Sequence, residues 1–194
     1  MMKSIVVYCG SRKGNRPVYA EAAAQLGQLM AEQKIRLVYG GGSVGLMGII
    51  ASSTMQHGGE VLGIIPGFLN DLEVGHTGIT QMVVVDNMHQ RKLMMHEESD
   101  GIITMPGGFG TMEEIFEMLT WGQLGLHQKP IGVLNVGGFY DDLIAQADRM
   151  VADDFLSERN RAMLIVDSNP ETLLKKLQDY RPSDNPHIIS IDRT

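Results

Sequence analysis

Short, nearly continuous runs of aliphatic residues recur along this chain. Between them lie longer stretches in which apolar positions return every three or four residues. The runs occupy residues 4–9 ("SIVVYC"), 36–39, 60–65, 82–85, 101–105, 131–135 and 163–166. Most lack polar residues at every second position, which is how strands buried on both faces of a parallel sheet read. The intervening stretches 17–33, 45–57, 88–98, 112–124, 140–153 and 170–180 have helix length and helix period. This alternation predicts an α/β protein with a Rossmann-like, doubly wound sheet. About seven mostly parallel strands are expected, with helices on both faces and right-handed crossovers. Residues 66–80 are the longest irregular piece and a candidate cover for a site. No linker, repeat or low-complexity stretch interrupts the pattern. Residues 1–181 are therefore expected to form one domain, and the turn-rich residues 182–194 a loosely held tail.

Composition narrows the partners. The chain has 194 residues, 43% hydrophobic and 20% charged, enough for one core that buries roughly 70% of the unfolded surface. The net charge of −7 argues against nucleic acid and anionic membranes as partners, because both need a basic footprint. A small anionic ligand remains compatible, since a few local cations suffice for it. Cys9 is the only cysteine, so an internal disulfide and a cysteine-based metal centre are both excluded. The opening has a short apolar run with no small-residue cleavage pattern, and no segment approaches the roughly 18 apolar residues of a membrane span. The expected location is the cytoplasm.

Ligands of open α/β sheets bind beyond the carboxyl ends of the strands, and three such ends here are glycine-rich. In "YGGGSVG", Gly40, Gly42 and Gly45 match G-x-G-x-x-G. A dinucleotide site also needs an acid at the far end of the next strand. Glu60 has the right separation but opens that strand instead of closing it. The loop is left as either a tight, closely packed turn or a phosphate or ribose cradle. No Gly-Lys-Ser/Thr phosphate loop occurs.

The second loop, "MPGGFGTMEE", places Gly107, Gly108 and Gly110 ahead of a helix expected to begin at Met112, with Thr111 as its cap. Free N–H groups and the positive end of the helix dipole make such a start an anion site, suited to a mononucleotide phosphate. Thr111 and Glu114 also form a capping box, a purely structural reading of the same residues. Met112, Ile115, Phe116 and Leu119 share one helical face and are expected to pack on the sheet. Glu114, Met118 and Trp121 fall on the opposite face, which suits a cleft or a partner subunit.

Besides these and "CGSRKG", a further strand end, "VVVDNMHQRK", carries a capping box of Asn87 and Gln90, then Arg91 and Lys92. Exposed cations near a helix start oppose the dipole by roughly 0.3–1 kcal/mol each. They form either a solvated basic pair or the partners of a bound anion, with Arg91 as a bidentate donor. His89 and His96 have no companions at metal-ligand spacing and read as surface or packing residues, so no metal is expected. Arg12, Lys13 and Arg16 form a loop cluster that is either solvated or adds positive potential at the same edge.

Together, "PGGFGTMEE" and "MHQRK" resemble the signature of the Lonely Guy (LOG) phosphoribohydrolases, PGGxGTxxE plus Met-His-x-Arg-Lys. The likeness extends through "CGSRKGNRPVY", "GGGSVGLMG", "TWGQLGLHQKPIGVLN" and "GFYDDL". The resemblance implies a homodimer that hydrolyses the N-glycosidic bond of nucleoside 5′-monophosphates, cytokinin ribosides and AMP among them, with no cofactor. It also implies Glu114 and Arg91 as catalytic residues. Its substrate contacts fall on Lys92, Gly108, Phe109, Gly110, Thr111, Glu113, Thr120 and Glu73. The chemistry is consistent with that set. An oxocarbenium-like state is stabilised by a carboxylate near the ribose, and Glu114 lies about one helical turn, roughly 5 Å, beyond the anion loop. An older family label, lysine decarboxylase, would need a Schiff-base lysine, and no lysine has that setting. The rival of another class is a mononucleotide-binding module without turnover, against which stands the carboxylate beside the loop.

Overall fold

The computed structural model describes residues 2–70 and 75–182. Its seven strands are β1 (Ser4–Tyr8), β2 (Arg36–Tyr39), β3 (Val61–Pro66), β4 (Gln81–Val85), β5 (Gly101–Thr104), β6 (Ile131–Leu134) and β7 (Leu164–Asp167). They form one sheet in the order β4-β3-β2-β1-β5-β6-β7 with every neighbouring pair parallel. The register sets Val6 beside both Val38 and Ile102.

Alternate side chains of each strand serve opposite layers. On one face Ile5, Val7 and Leu37 pack under α1 (Pro17–Glu32), α2 (Gly45–Gln56) and, at the chain's end, a helix spanning Pro170–Asp179. On the other, Val6, Val38 and Ile102 meet Met95 of α4 (Met88–Glu97) and Ile115 of α5 (Phe109–Gln123). Burial of both layers explains why the strands read as unbroken aliphatic runs. Short helices α3 (Gly67–Asn70) and α7 (Glu158–Arg161) were not evident in the pattern; α6 (Asp141–Ala152) was, and the last helix is α8. Among the described residues, no helix is long and apolar enough to cross a membrane.

Expected and observed boundaries agree within one residue for every strand and longer helix except α5. That helix starts at Phe109 instead of Met112, with Gly108 as its N-cap. Strand order reverses between β1 and β5, which places the ligand crevice at their carboxyl ends. Three loops are laced together there. The Gly10 N–H donates to the Pro106 carbonyl at 3.0 Å, and the Leu46 N–H donates to the Gly10 carbonyl at 3.0 Å.

Candidate active site

The early start of α5 changes the meaning of its loop. Thr111 lies inside the first turn, 4% exposed, so it caps nothing, and Glu114 falls in the second turn, out of a capping-box position. The structural reading of that pair is therefore excluded. The first in-register helical bond runs from the Met112 N–H to the Gly108 carbonyl at 3.1 Å. The N–H groups of Phe109, Gly110 and Thr111 precede it and have no partner within the helix.

The loop's glycines are required for different reasons. A Cβ on Gly107 would strike the Thr111 hydroxyl and come within 3.0 Å of the Gly10 nitrogen, so packing demands glycine there. A Cβ on Gly108 or Gly110 would meet nothing within 4 Å. Protein packing does not account for these two, and the space over them is open.

That space is a cavity of about 240 Å³, walled by Cys9, Gly40, Arg91, Gly108, Thr111 and Glu114, with Phe109 and Gly110 also on its edge. Arg91 is 6% exposed. Its Nε donates to the Ile64 carbonyl at 3.1 Å and its Nη2 to the Gly40 carbonyl at 2.8 Å. A Cβ on Gly40 would collide with the guanidinium, which explains the first glycine of "GGGSVG". Gly45, at φ +64, lies against the backbone of Ser11. Gly40 and Gly45 are thus closely packed, Gly40 also lies in the cavity wall, and Glu60 lies at the opposite end of the sheet with Lys3, Arg36 and Asp100. One edge of the Arg91 fork, Nε and Nη2, is taken by protein carbonyls.

Glu114 is half-buried and shapes the cavity's electrostatics. Burial, then the charges of Glu114, Glu117 and Glu113, push the Tyr8 phenol well up, against a smaller opposing effect of Arg91. Burial and then Glu114 likewise push the Cys9 thiol up. The floor of the cavity therefore holds a neutral phenol and a neutral thiol, and Cys9 is no thiolate nucleophile.

Other residues that the family likeness implicates lie elsewhere. The Lys92 ammonium donates to Glu113 Oε1 at 2.6 Å and Glu117 Oε1 at 2.9 Å, beside the cavity but not in its wall. Burial alone would lower its pKa; the two carboxylate hydrogen bonds and charges outweigh this and hold it above the usual lysine value. Thr120 is exposed, its hydroxyl donates to the Phe116 carbonyl at 2.7 Å, and it faces an apolar groove on the far side of α5. Glu73 lies outside the described residues. His89 is exposed, whereas His96 is buried. Of the loop cations, Arg16 donates to the Gly137 carbonyl at 2.9 Å, and Arg12 and Lys13 line a neighbouring cavity of about 410 Å³.

The face of α5 that meets the sheet is Thr111, Ile115, Met118 and Gly122, not Met112, Ile115, Phe116 and Leu119. The two small residues let the helix approach closely, and a wheel ranked by hydrophobicity passes over them. Met118 is consequently in the core at 0% exposure, and Trp121 is half-buried against His96 with ring centroids 5.4 Å apart. The outward apolar residues are Phe116 and, at the helix start, Phe109. Glu117 was missed altogether. Its spacing of four from Glu113 was the available signal, since such a pair presents two carboxylates on one helical face.

A doubly wound sheet with an open helix start at its switch point, and an arginine and a carboxylate in one cavity, defines a protein built for a small phosphorylated ligand. Residues 47–177 match the family model described as "Possible lysine decarboxylase". The chain is 46% identical over 179 residues to "Probable cytokinin riboside 5'-monophosphate phosphoribohydrolase LOGL1" of Oryza sativa subsp. japonica, covering 92% of this chain and 80% of that protein. It is 44% identical to "Cytokinin riboside 5'-monophosphate phosphoribohydrolase LOG7" of Arabidopsis thaliana, covering 93% and 83%. The chain belongs to this phosphoribohydrolase family, the one its two signature segments resemble. Among solved structures, the molybdenum cofactor binding protein of Rippkaea orientalis superposes with a TM-score of 0.69 at 25% identity, covering 92% of this chain and 97% of that one. The molybdenum cofactor carrier protein of Chlamydomonas reinhardtii gives 0.67 at 17% identity, covering 91% and 98%, a likeness of fold.

Proposed function

We propose that this protein hydrolyses purine nucleoside 5′-monophosphates, of cytokinin or adenosine type, to the free base and ribose 5-phosphate. The observation that carries this reading is the open space over Gly108 and Gly110, at a helix start that shares its cavity with Glu114. The N–H groups of Phe109, Gly110 and Thr111 receive the phosphate. The ribose then lies along the second turn of α5, with its anomeric carbon near Glu114. As the carbon–nitrogen bond breaks, its electron pair leaves with the base, which takes up a proton. Glu114 stabilises the positive charge left on the sugar and accepts a proton from the water that bonds to the anomeric carbon. Arg91, fixed by the Ile64 and Gly40 carbonyls, supplies a stationary positive charge beside the phosphate and ribose. The cavity suits ribose phosphate better than a whole nucleotide, since complete ligand sites are roughly 300–1,000 Å³. The base therefore lies at the rim, where Phe109 is 96% exposed.

The test is incubation with AMP and assay of free adenine and ribose 5-phosphate, alongside unphosphorylated adenosine. Glu114→Gln is expected to lose roughly 10²–10³ in rate or more while still binding AMP. Unchanged turnover in that variant removes Glu114 from the reaction. Stoichiometric AMP binding by the wild type with no adenine released makes the protein a binding module instead. A decarboxylase reading is disfavoured by Lys92, whose ammonium is held charged between two carboxylates and so is a poor Schiff-base former.

A homodimer is part of the same proposal. The groove between α5 and α6, lined by Phe116, Leu119, Leu143 and Met150, is the apolar surface offered to the second copy.

A further inference from the structure

The residues that flank the two proposed catalytic groups are bound to each other. On α4, Arg91 reaches toward the ends of β2 and β3, and the next residue, Lys92, reaches toward α5. On α5, Glu114 faces the cavity, and its neighbour Glu113, with Glu117 one turn on, faces Lys92. The two helices are anchored separately, α4 on β3 and β4, α5 on β1. The sheet holds the Arg91 guanidinium through the Ile64 and Gly40 carbonyls, and a direct tie between α4 and α5 adds to the control of where Glu114 lies relative to it. The Lys92 side chain is 11% exposed and the Glu117 side chain 23%, so the second of its ion pairs is shielded from solvent screening. The other Glu117 oxygen, Oε2, is buried with no hydrogen-bond partner among the described residues. A carboxylate so placed is tolerated because Lys92 neutralises it, and removing that lysine leaves an uncompensated buried charge.

We infer that Lys92 is a positioning residue, clamped between Glu113 and Glu117, that fixes the α4 residue Arg91 relative to the α5 residue Glu114 and makes no contact with the substrate. This rests on the phosphoribohydrolase reading and departs from the substrate contact that the family signature implies for the lysine. The two roles separate in kinetics. A substrate contact supports binding, so its loss raises KM. A clamp supports geometry, and misplacement of catalytic groups by about 1 Å lowers turnover roughly a hundredfold. Glu117 discriminates further, because it lies outside the cavity wall and matters only if Lys92 acts through it.

The experiment measures kcat and KM for AMP in the wild type, Lys92→Met, Lys92→Arg, Glu117→Leu and the double variant Lys92→Met/Glu117→Leu, with thermal melts to verify folding. The expected result is a loss in kcat of about tenfold or more in Lys92→Met and Glu117→Leu, with KM within about twofold of wild type. The double variant should be no worse than Lys92→Met, and Lys92→Arg should recover most of the turnover. Glu117→Leu with wild-type kcat overturns the inference, as does Lys92→Met with a tenfold higher KM and unchanged kcat. If Lys92→Met does not fold, Glu117→Leu and Lys92→Arg decide by the same criteria. Wild-type protein that releases no adenine from AMP defeats the functional reading and the inference with it. An active wild type with an unaffected Glu117→Leu defeats the inference alone.

Discussion

Gly110 occupies the second position of α5, where alanine would serve the helix better. Glycine there costs roughly 0.5–1 kcal/mol relative to alanine, and an added Cβ would meet nothing of the protein. Gly110→Ala should therefore raise the melting temperature by roughly 1–4 °C and at the same time raise KM for AMP, because the methyl enters the space of the phosphate. Calorimetry and AMP kinetics on one preparation check both halves; a stabilised variant with unchanged KM would mean that nothing binds over this turn. Gly107→Ala should behave in the opposite way, losing stability through its collision with Thr111. Phe109 gives a third residue-scale expectation. Its ring is exposed, so Phe109→Ala should leave stability alone. If the ring stacks on the base, removing it should raise KM about tenfold or more, since base stacking contributes roughly 1–3 kcal/mol. Adenosine 5′-monophosphate and abasic ribose 5-phosphate binding, compared between the two proteins, isolates that contribution.

At the scale of elements, α4 and the end of α5 are also joined through a buried histidine pair, which makes stability depend on pH. His96, in the last turn of α4, is 3% exposed, and its ring centroid is 4.9 Å from that of His127. The Nε2–H of His127 donates to the Met118 carbonyl at 2.9 Å, and its Nδ1 accepts from the Lys129 N–H at 3.1 Å, which fixes a neutral tautomer. The Lys129 ammonium also donates to the His96 carbonyl. Burial first, then the charges of Lys129 and His127, pull His96 down to about 3. Burial, partly opposed by the Met118 carbonyl and reinforced by Lys129, pulls His127 down as well. In the unfolded chain both titrate near about 6.5, so below that pH the unfolded state takes up protons that the folded state refuses. Stability should fall from about pH 6.5 toward the folded value, by up to roughly 1.4 kcal/mol per pH unit for His96. Urea midpoints at pH 7 and pH 5, followed by Trp121 fluorescence, should show this fall, and His96→Gln should flatten it. An equal fall in both proteins would place the titrating group elsewhere. Little of this junction was legible in the sequence. The parallel strands were, because burial on both faces leaves no polar alternation to misread. The bare loop before α5 was also legible, because Gly108 and Gly110 stand together in the sequence and meet nothing of the protein in the fold. The start of α5 was not, since Thr111 makes a plausible cap until Gly107, wedged against Gly10 and Thr111, turns its hydroxyl inward. The pairing of Lys92 with Glu117 was hidden too, because 25 residues of chain separate them and only the packing of two helices unites them.

The molecule as a whole is unevenly finished. Around β1, β2 and β5 both layers are sealed, yet α6 has no fully buried residue although Leu143, Ile144, Ala147, Met150 and Val151 recur on one face. Beside it Phe116 is 43% exposed and Phe155 87%. A helix with that pattern normally covers its apolar stripe, and single exposed residues need no explanation whereas a contiguous group does. The proposed second copy would supply the cover, and a standard interface needs roughly 800 Å² from each partner. The expectation is a solution mass of twice one chain by light scattering. Phe116→Asp and Met150→Asp should each return it to one chain by burying an unpaired charge in the contact, while leaving the circular dichroism of the fold intact. Thr120 gives the dimer a functional readout, since it lies on this face and not in the cavity of its own chain. If the substrate contact that the family signature implies for it is real, it must be made across the interface. Thr120→Val would then weaken AMP turnover in the dimer and change nothing further in an already monomeric Phe116→Asp background. A wild-type protein of single-chain mass with full activity would remove both the interface and that role.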